Sequence, residues 1–516
     1  QNLYTTQACE KWVTKKMKKP NKWLSLAAVL VLFSAGLWVG RMMYKTQSTP
    51  PPPPTYFRSP AKSDTAGAAV GVQTPVSRTI IDVRNGEFIQ AAVAQAQPGD
   101  LIRVYPGTYK ETVYIDKENI SMQGVILEGK WPTLDGEKEL NDAFLYSGNG
   151  ILIENFKIIN YKGNGVMGQA GNNFVIRNNW VIDAGVYGIF PEFGKNGLIE
   201  YNILTGIEDA AIYVGMCDNI DVRHNEVFGN VAGIEIENSR HALVENNHCY
   251  NNTGGILIFI TPGLPIKSCY DVIIRDNFVN DNNHVNFGAP GSLVAGIPQG
   301  TGILVMAADQ VIIENNIISG NDNAGITITD LDYGANTAND PEVEPNPDRL
   351  LILENFMINN GNSPVGELKA IMMTQLSSRG PDIVAVGGGT GSCIANRDRY
   401  RTFGLGQWAQ CQETTTRAVQ TYMLDTPVSP REFSEKERVK MAYYGICSGC
   451  HAYKVRMVGP PTLVIQALYQ NNPQGIADYI IKPEHKREDF PEMPPQNYLS
   501  EDLRLALAEY LLTVKN

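Results

Sequence analysis

The sequence predicts a mostly β chain: a solenoid of stacked parallel coils, followed by a small all-α domain. Three observations carry this. A tetrapeptide recurs at near-constant spacing through the middle of the chain, a Gly-Ile pair runs in phase with it, and after about residue 429 the pattern changes to helical periodicity. At 516 residues the chain is too long for one ordinary core, and its 48 glycines favour tight turns over long helices. A net charge of -11, with no basic stripe through the body, argues against non-specific nucleic-acid binding. No nucleic-acid partner is expected.

Positive charge gathers instead at the start, in a basic segment (1–22) read as cytoplasmic. It precedes WLSLAAVLVLFSAGLWVG, 18 residues without a charge at 23–40. This length suits a membrane span, and 23–44 is expected to be a retained signal anchor. The run exceeds the usual signal h-region, no small-x-small site follows it, and Arg41 and Lys45 lie beyond it. A cleaved signal peptide is the alternative, with Met17 a natural start for its basic region. Residues 45–79 open on a proline run and read as a semi-extended linker holding an exported body off the bilayer.

The stack is expected over 80–365. IENF at 153, IRNN at 176, IEYN at 199, VRHN at 222 and VENN at 244 are separated by 23, 23, 23 and 22 residues. IRDN at 274, IENN at 313 and LENF at 353 follow after one period plus an inserted loop. In phase run GVM at 165, GIF at 188, AIY at 211, GIE at 233, GIL at 255 and 302, and GIT at 325. Alternation sends the Ile or Val of each pair inward and the next residue outward, and equivalent positions stack at ~4.8 Å. Asn179, Asn202, Asn225, Asn247, Asn277 and Asn316 share one repeat position, where side-chain amides bond the coils above and below. GEFIQAAVAQAQPGD (86–100) supplies an amphipathic helix to cover the open first coil. On these motifs the chain resembles the right-handed parallel β-helix repeat proteins of the pectate-lyase-like superfamily. That resemblance implies a fold and leaves the function open.

One outward face combines aromatics and carboxylates. The residue after each Gly-Ile pair is Phe190, Tyr213, Glu235, Leu257, Leu304 or Thr327, and two further along come Glu192, Gly215, Glu237, Phe259, Met306 and Thr329. Glu235 and Glu237, ~7 Å apart along a strand, suit acid/base work on a sugar, and Asp209 precedes the neighbouring strand. These three are the candidate catalytic residues, with a polysaccharide as the candidate ligand. A solvated or partner-facing surface is the competing reading. The calcium-binding aspartates and basic residue of pectate lyases do not appear in the rows.

Other features read as structural. His224, His241, His248 and His284 lack metal-ligand spacing. GNGVMG at 163–168 matches a dinucleotide fingerprint, but opens no helix. Cys393 and Cys411 are the expected disulfide of a capping or connecting segment at 366–428; pairing of Cys217, Cys249 and Cys269 stays open.

The last stretch, 429–516, is expected to be a small α domain, with Ser500 as N-cap of its final helix. It carries GICSGCHAY at 445–453. Two thiols three positions apart add to the vinyl groups of haem, and the adjoining His451 becomes the proximal ligand. A zinc knuckle or a thioredoxin-like site would need ligands or a setting that the sequence lacks. The expected cofactor is one covalent haem c per chain, on Cys447 and Cys450. CSGCH, the GPPTL turn at 459 and the EMPP loop before a terminal helix make this stretch similar to class I c-type cytochromes. That similarity implies Met493 as the sixth ligand, with His485 the runner-up. Met457 stands only six residues past His451, too close to cross the haem.

The reading favoured by sequence is thus a c-type cytochrome anchored in a bacterial inner membrane, its body in the periplasm, passing single electrons to a redox partner protein. The alternatives are a carbohydrate-active β-helix enzyme (glycan oxidation, lysis or epimerisation) with the haem as electron acceptor, and a protein-binding scaffold.

Overall fold

A computed structural model of the chain describes residues 78–290, 292–334, 340–412, 414–431, 434–448, 450–487, 490, 492–493, 495–497 and 499–515. The expected basic segment, the anchor at 23–44 and nearly all of the 45–79 linker lie outside the described residues. No helix among the described residues is long and apolar enough to cross a membrane.

The repeat winds three parallel sheets, of 13, 11 and 10 strands. Each regular coil gives one strand to each sheet. Ala210–Gly215, Asp218–Arg223 and Glu226–Phe228 make one turn, and Ala232–Glu237, Arg240–Glu245 and His248–Tyr250 make the next. In the 11-stranded sheet Ile189, Ile212, Ile234, Ile256, Ile303 and Ile326 lie in register and are fully buried. These stacked isoleucines fill the interior, and their burial is the main term favouring the stack.

The corner after the tetrapeptide strand explains its polar half. Asn178, Tyr201, His224, Asn246, Asp276 and Asn315 adopt left-handed φ values of 51–56°, a conformation that asparagine tolerates better than most residues. The next residue is the ladder asparagine. Asn225 donates through Nδ2 to Asn247 Oδ1 at 3.0 Å, and Asn247 does the same to Asn277 at 3.0 Å. The ladder ends on Asn355, so the last unit starts at Ile352, one residue before LENF, as the Ile313–Ile352 register requires. A second ladder, Asn230, Asn252, Asn282, Asn321 and Asn360, lines another corner. Asn247→Ala is expected to cost ~1–3 kcal/mol, because it strands the Asn225 amide and the Val222 carbonyl without water. Urea denaturation checks this.

The expected cap is present as the helix Ile89–Gln95, with Ile89, Ala92 and Val93 on the first coil. Side chains close both of its ends. Glu111 accepts from Ile89 N and Gln90 N at 2.8 and 2.9 Å, and Lys117 Nζ donates to Val93 O, Ala94 O and Ala96 O within 2.8 Å. Opposite charges thus meet opposite ends of the helix.

At the far end the stack continues past 365. Ile383–Val386 pairs with Ala324–Thr329, and Cys393–Ile394 pairs with Leu351–Leu353 before a last short strand, Ala409–Gln410. These coils have lost the repeat asparagines, which is why sequence pattern ends the stack too early. Cys393 and Cys411 form the expected disulfide; Cys217, Cys249 and Cys269 are free and buried.

Residues 414–431 then run back along the flank of the stack. Thr416 N bonds Glu314 at 2.8 Å, Tyr422 N bonds Asp221 at 3.0 Å, Leu424 N bonds Asn196 at 2.8 Å and Val428 N bonds Asn173 at 2.8 Å. This strap returns the chain from the last coils to the middle ones. There the helices Glu435–Tyr443, Thr462–Leu468, Pro473–Tyr479 and Glu501–Thr513 pack around Tyr443, Ile476, Ala477, Leu507, Ala508 and Leu511. Ser500 caps the last helix, accepting from Leu503 N at 3.4 Å, with Glu501 and Asp502 in its first turn.

Candidate active site

The two outward rows have the expected register. Tyr213 pairs with Glu235 and Glu235 with Leu257, while Gly215 pairs with Glu237 and Glu237 with Phe259. Glu192 pairs with Gly215 from the other side. A side chain at 215 would meet the Tyr213 ring at 2.5 Å. Glycine there leaves a slot with Glu192 on one side and Glu237 on the other.

The face is buried, which corrects the expectation of a solvated surface. Glu192, Asp209, Glu235 and Glu237 are 0–6% exposed. The cover is the chain itself: Met457 and Val458 from the C-terminal helical unit, and Leu293 and Val294 from the loop inserted after a coil. Tyr187, Asp209, Tyr213, Glu235, Glu237 and Phe259 line the cavity beneath. Asp209 therefore joins the two glutamates, as its place before the strand suggested. Tyr187 stacks on Tyr213 at 4.4 Å, and Phe190 meets Tyr213 edge-on at 4.7 Å.

Each of the four carboxylates, and the Tyr213 hydroxyl, has a buried oxygen with no hydrogen-bond partner among the described residues. A buried unpaired carboxylate favours its proton. Burial holds Glu192, Asp209 and Glu235 well above the usual carboxylate range, with the charge of Glu237 raising Asp209 further and that of Asp209 raising Glu235, and it pushes Glu237 up to about 8. Burial thus favours the protonated form of all four at neutral pH, so the row holds proton donors, and Glu237, at about 8, is the member whose proton leaves as pH rises.

The folded chain therefore binds more protons than the unfolded chain. Stability is expected to be full below the ordinary value of 4.5 and to fall as pH rises toward about 8, at up to ~1.4 kcal/mol per pH unit for Glu237 alone. Unfolding midpoints from pH 5 to 9 check this, and Glu237→Gln is expected to flatten the slope.

The CSGCH turn lies against this row. Ser434 and Glu437 form a capping box that starts the helix Glu435–Tyr443, and a wider turn, Tyr444–Ser448, follows. Ser448 Oγ lies 3.3 Å from Glu192 Oε1. Cys447 is pushed up to about 12 by burial and then by Glu192; Cys450 is raised by burial and then by Asp209. Both thiols are free. Met457 packs with Val455, Ala452, Phe193, Met216 and Leu264, so it faces the stack, and Lys162 pairs with Glu492 at 2.8 Å across the same contact.

These residues fit a covalently held haem. The His451 amide bonds Cys447 O at 2.8 Å, closing one helical turn that sets both thiols and the imidazole together. His451 Nδ1 lies 2.8 Å from Pro460 O, so Nδ1 carries the hydrogen and Nε2 keeps its lone pair for a metal. A Cβ at Gly459 would lie 2.2 Å from the His451 ring, so only glycine lets the imidazole take this position. Met493 is partly buried in the loop that Glu492 ties to the stack. His485 is exposed, with Nε2 2.8 Å from Phe490 O.

The remaining histidines are structural, as expected. His224 stacks on Tyr201 at 4.9 Å, His241 Nδ1 contacts Asp218 at 2.6 Å, and His248 Nε2 contacts Asn280 at 3.0 Å. His284 Nδ1 bonds Val285 O at 2.8 Å. Sequence reasoning missed Tyr187 and the covering residues Leu293, Val294, Met457 and Val458. Strict alternation turns Tyr187 inward, and nothing local marks a cover made by an inserted loop at Leu293 and Val294 and by the far C-terminal Met457 and Val458.

The family of the right-handed β-helix region matches residues 111–225 and 194–341. Comparison with curated proteins gives no match. Among solved structures the chain is similar to the A-module of the mannuronan C-5 epimerase AlgE4 of Azotobacter vinelandii, at 14% identity, over 65% of this chain and 91% of that one, with a TM-score of 0.44. It is also similar to the DFA-IIIase of Arthrobacter chlorophenolicus A6 (14% identity, 62% and 94%, 0.40) and to an alginate lyase of Paenibacillus sp. str. FPU-7 (15% identity, 55% and 99%, 0.35). Three parallel sheets, stacked isoleucines and asparagine ladders build a parallel β-helix, and its coils over 111–341 match the right-handed β-helix region.

Proposed function

We propose that the chain is a carbohydrate-active β-helix enzyme whose site is the buried row of Asp209, Glu235 and Glu237, with haem c held beside it by Cys447, Cys450 and His451. One observation supports this above others: the unpaired carboxylates and the CSGCH turn meet in the same place, with Ser448 on Glu192 and Met457 over Glu235 and Glu237. A bare electron carrier has no use for protonated acids at that contact.

The chain's own residues divide the work. Tyr187, Tyr213 and Phe259 line a cavity of only about 20 Å³, so a sugar would reach these rings once the cover of Leu293, Val294, Met457 and Val458 moves aside. Glu237, once its proton leaves as pH rises toward about 8, is the base that would take a proton from a sugar hydroxyl or ring carbon, and a neighbour that has kept its own returns one. Lysis and epimerisation of a glycan both begin with the proton abstraction, and oxidation would in addition pass two electrons, one at a time, through the haem to an external acceptor. Haem on the adjacent thiols would supply a one-electron acceptor. Met493 is the proposed sixth ligand. Haem attachment in this way belongs to an exported body, in line with the expected anchor at 23–44.

A second reading keeps the haem for an external redox partner and makes the stack a platform. The bond from His451 to Pro460 O supports it equally, since it concerns only the haem. Anaerobic mixing of the intact holoprotein with a panel of oligosaccharides separates the two. Haem reduction, or a changed sugar seen by NMR, is the expected result; an unchanged panel with a redox-competent haem would transfer the assignment to the platform.

A further inference from the structure

A cavity of about 480 Å³ lies at the corner where the strand turns after Glu192, walled by Asn172, Phe193, Lys195, Met216, Arg240 and the strap residues 428–431. It belongs to neither the carboxylate row nor the CSGCH turn. Three of its lining residues, Lys195, Arg240 and Arg431, are cations.

The register brings them together. Lys195 pairs with Asp218 and Asp218 with Arg240 on successive coils, which stacks two cations around one carboxylate. Asp218 lies 3.3 Å from Arg240 Nη2 and 3.7 Å from Lys195 Nζ, and it also holds His241 Nδ1 at 2.6 Å. Arg431 enters from the strap. Its guanidinium donates to the Phe193 carbonyl, and Asp218, the carboxylate among the cations, is engaged by Arg240, Lys195 and His241. Burial lowers its pKa, yet a guanidinium stays charged in a protein. The cavity therefore carries surplus positive charge against partly apolar walls, an arrangement that costs stability unless an anion offsets it.

We infer that this corner cavity is a binding site for a compact oxyanion, a carboxylate or phosphate group, held by the Arg431 fork with Lys195 and Arg240. Arginine's paired N–H groups match the two oxygens of such a group, and lysine adds a point charge. Phe193, Met216 and Ile266 give the carbon part of an organic anion an apolar wall. The site stands whether or not the carboxylate row is catalytic.

Calorimetric titration of the intact protein with inorganic phosphate, a sugar acid and the matching neutral sugar tests this. Saturable binding of at least one anion is expected, weakened at least ~10-fold by Arg431→Gln and by Lys195→Gln and weakened further by added salt. Phosphate alone would mark an inorganic ligand, and the sugar acid alone a carboxylated one. In anion-free buffer Arg431→Gln is expected to unfold at the wild-type temperature or above, because it removes one of three cations gathered around a single carboxylate. Absence of saturable binding of either anion to the wild type, equal binding of the neutral sugar, or affinity unchanged in both variants would overturn the inference. So would a lower unfolding temperature for Arg431→Gln with no change in affinity, which would mark the arginine as a strap fastener.

Discussion

Glu235→Gln is expected to lower turnover of a responsive oligosaccharide by ~10²–10⁴-fold, the usual contribution of one positioned acid or base. The substitution removes only the ionisable proton. Glutamine has the shape of the protonated acid that burial favours at this position, so the fold, the register with Tyr213 and Leu257, and the haem spectrum should survive. Unfolding measured at pH 6 should match the wild type, and the fall in stability toward high pH should become shallower. Turnover within threefold of wild type, in a variant with an intact spectrum, would remove Glu235 from the chemistry. Glu192→Gln is the informative companion: its carboxylate touches Ser448 and sits across the Gly215 slot, so it should disturb the seating of the CSGCH turn more than acid/base exchange.

Cys447→Ser combined with Cys450→Ser is expected to abolish covalent haem attachment altogether. Denatured wild-type protein from an exporting host should keep its cofactor through gel electrophoresis and mass spectrometry, and the double variant should yield only the unmodified chain. The stack should stay folded in that variant, since its core is a separate column of isoleucines, Ile189 through Ile326. The helical cluster around Tyr443 and Leu507 is small and should loosen, because so short a unit needs a staple. Met493→Ala should keep both thioethers yet lose a methionine-to-iron absorption band. An unmodified wild-type mass would end the haem assignment; a retained band would move the sixth ligand to another residue.

Much of this was readable from pattern. The 23-residue tetrapeptide repeat gave the coils, their axis and the first asparagine ladder, because parallel stacking puts identical residues over one another. Alternation placed Glu235 and Glu237 on one face, with Tyr213 and Phe259 as their neighbours. The second ladder, at Asn230 and Asn252, was equally regular but lay in a turn that the tetrapeptide does not include. The last coils, at 383–410, were missed because they are held by a disulfide and a few short pairings, without asparagine or Gly-Ile marks.

The sequence by itself determined the solenoid, the cap at 86–100 and the Cys393–Cys411 bridge, since each is a local or periodic property of the chain. Tertiary structure alone decided that the carboxylate face is dry and that the thiols lie against it. That outcome depends on the strap at 414–431, whose bonds to Glu314, Asp221, Asn196 and Asn173 lead it back across five coils. Partners so distant leave no periodicity to read. Burial then gives the glutamates their retained protons, because a carboxylate's charge is set by the solvent it has lost and not by the residues beside it in the chain.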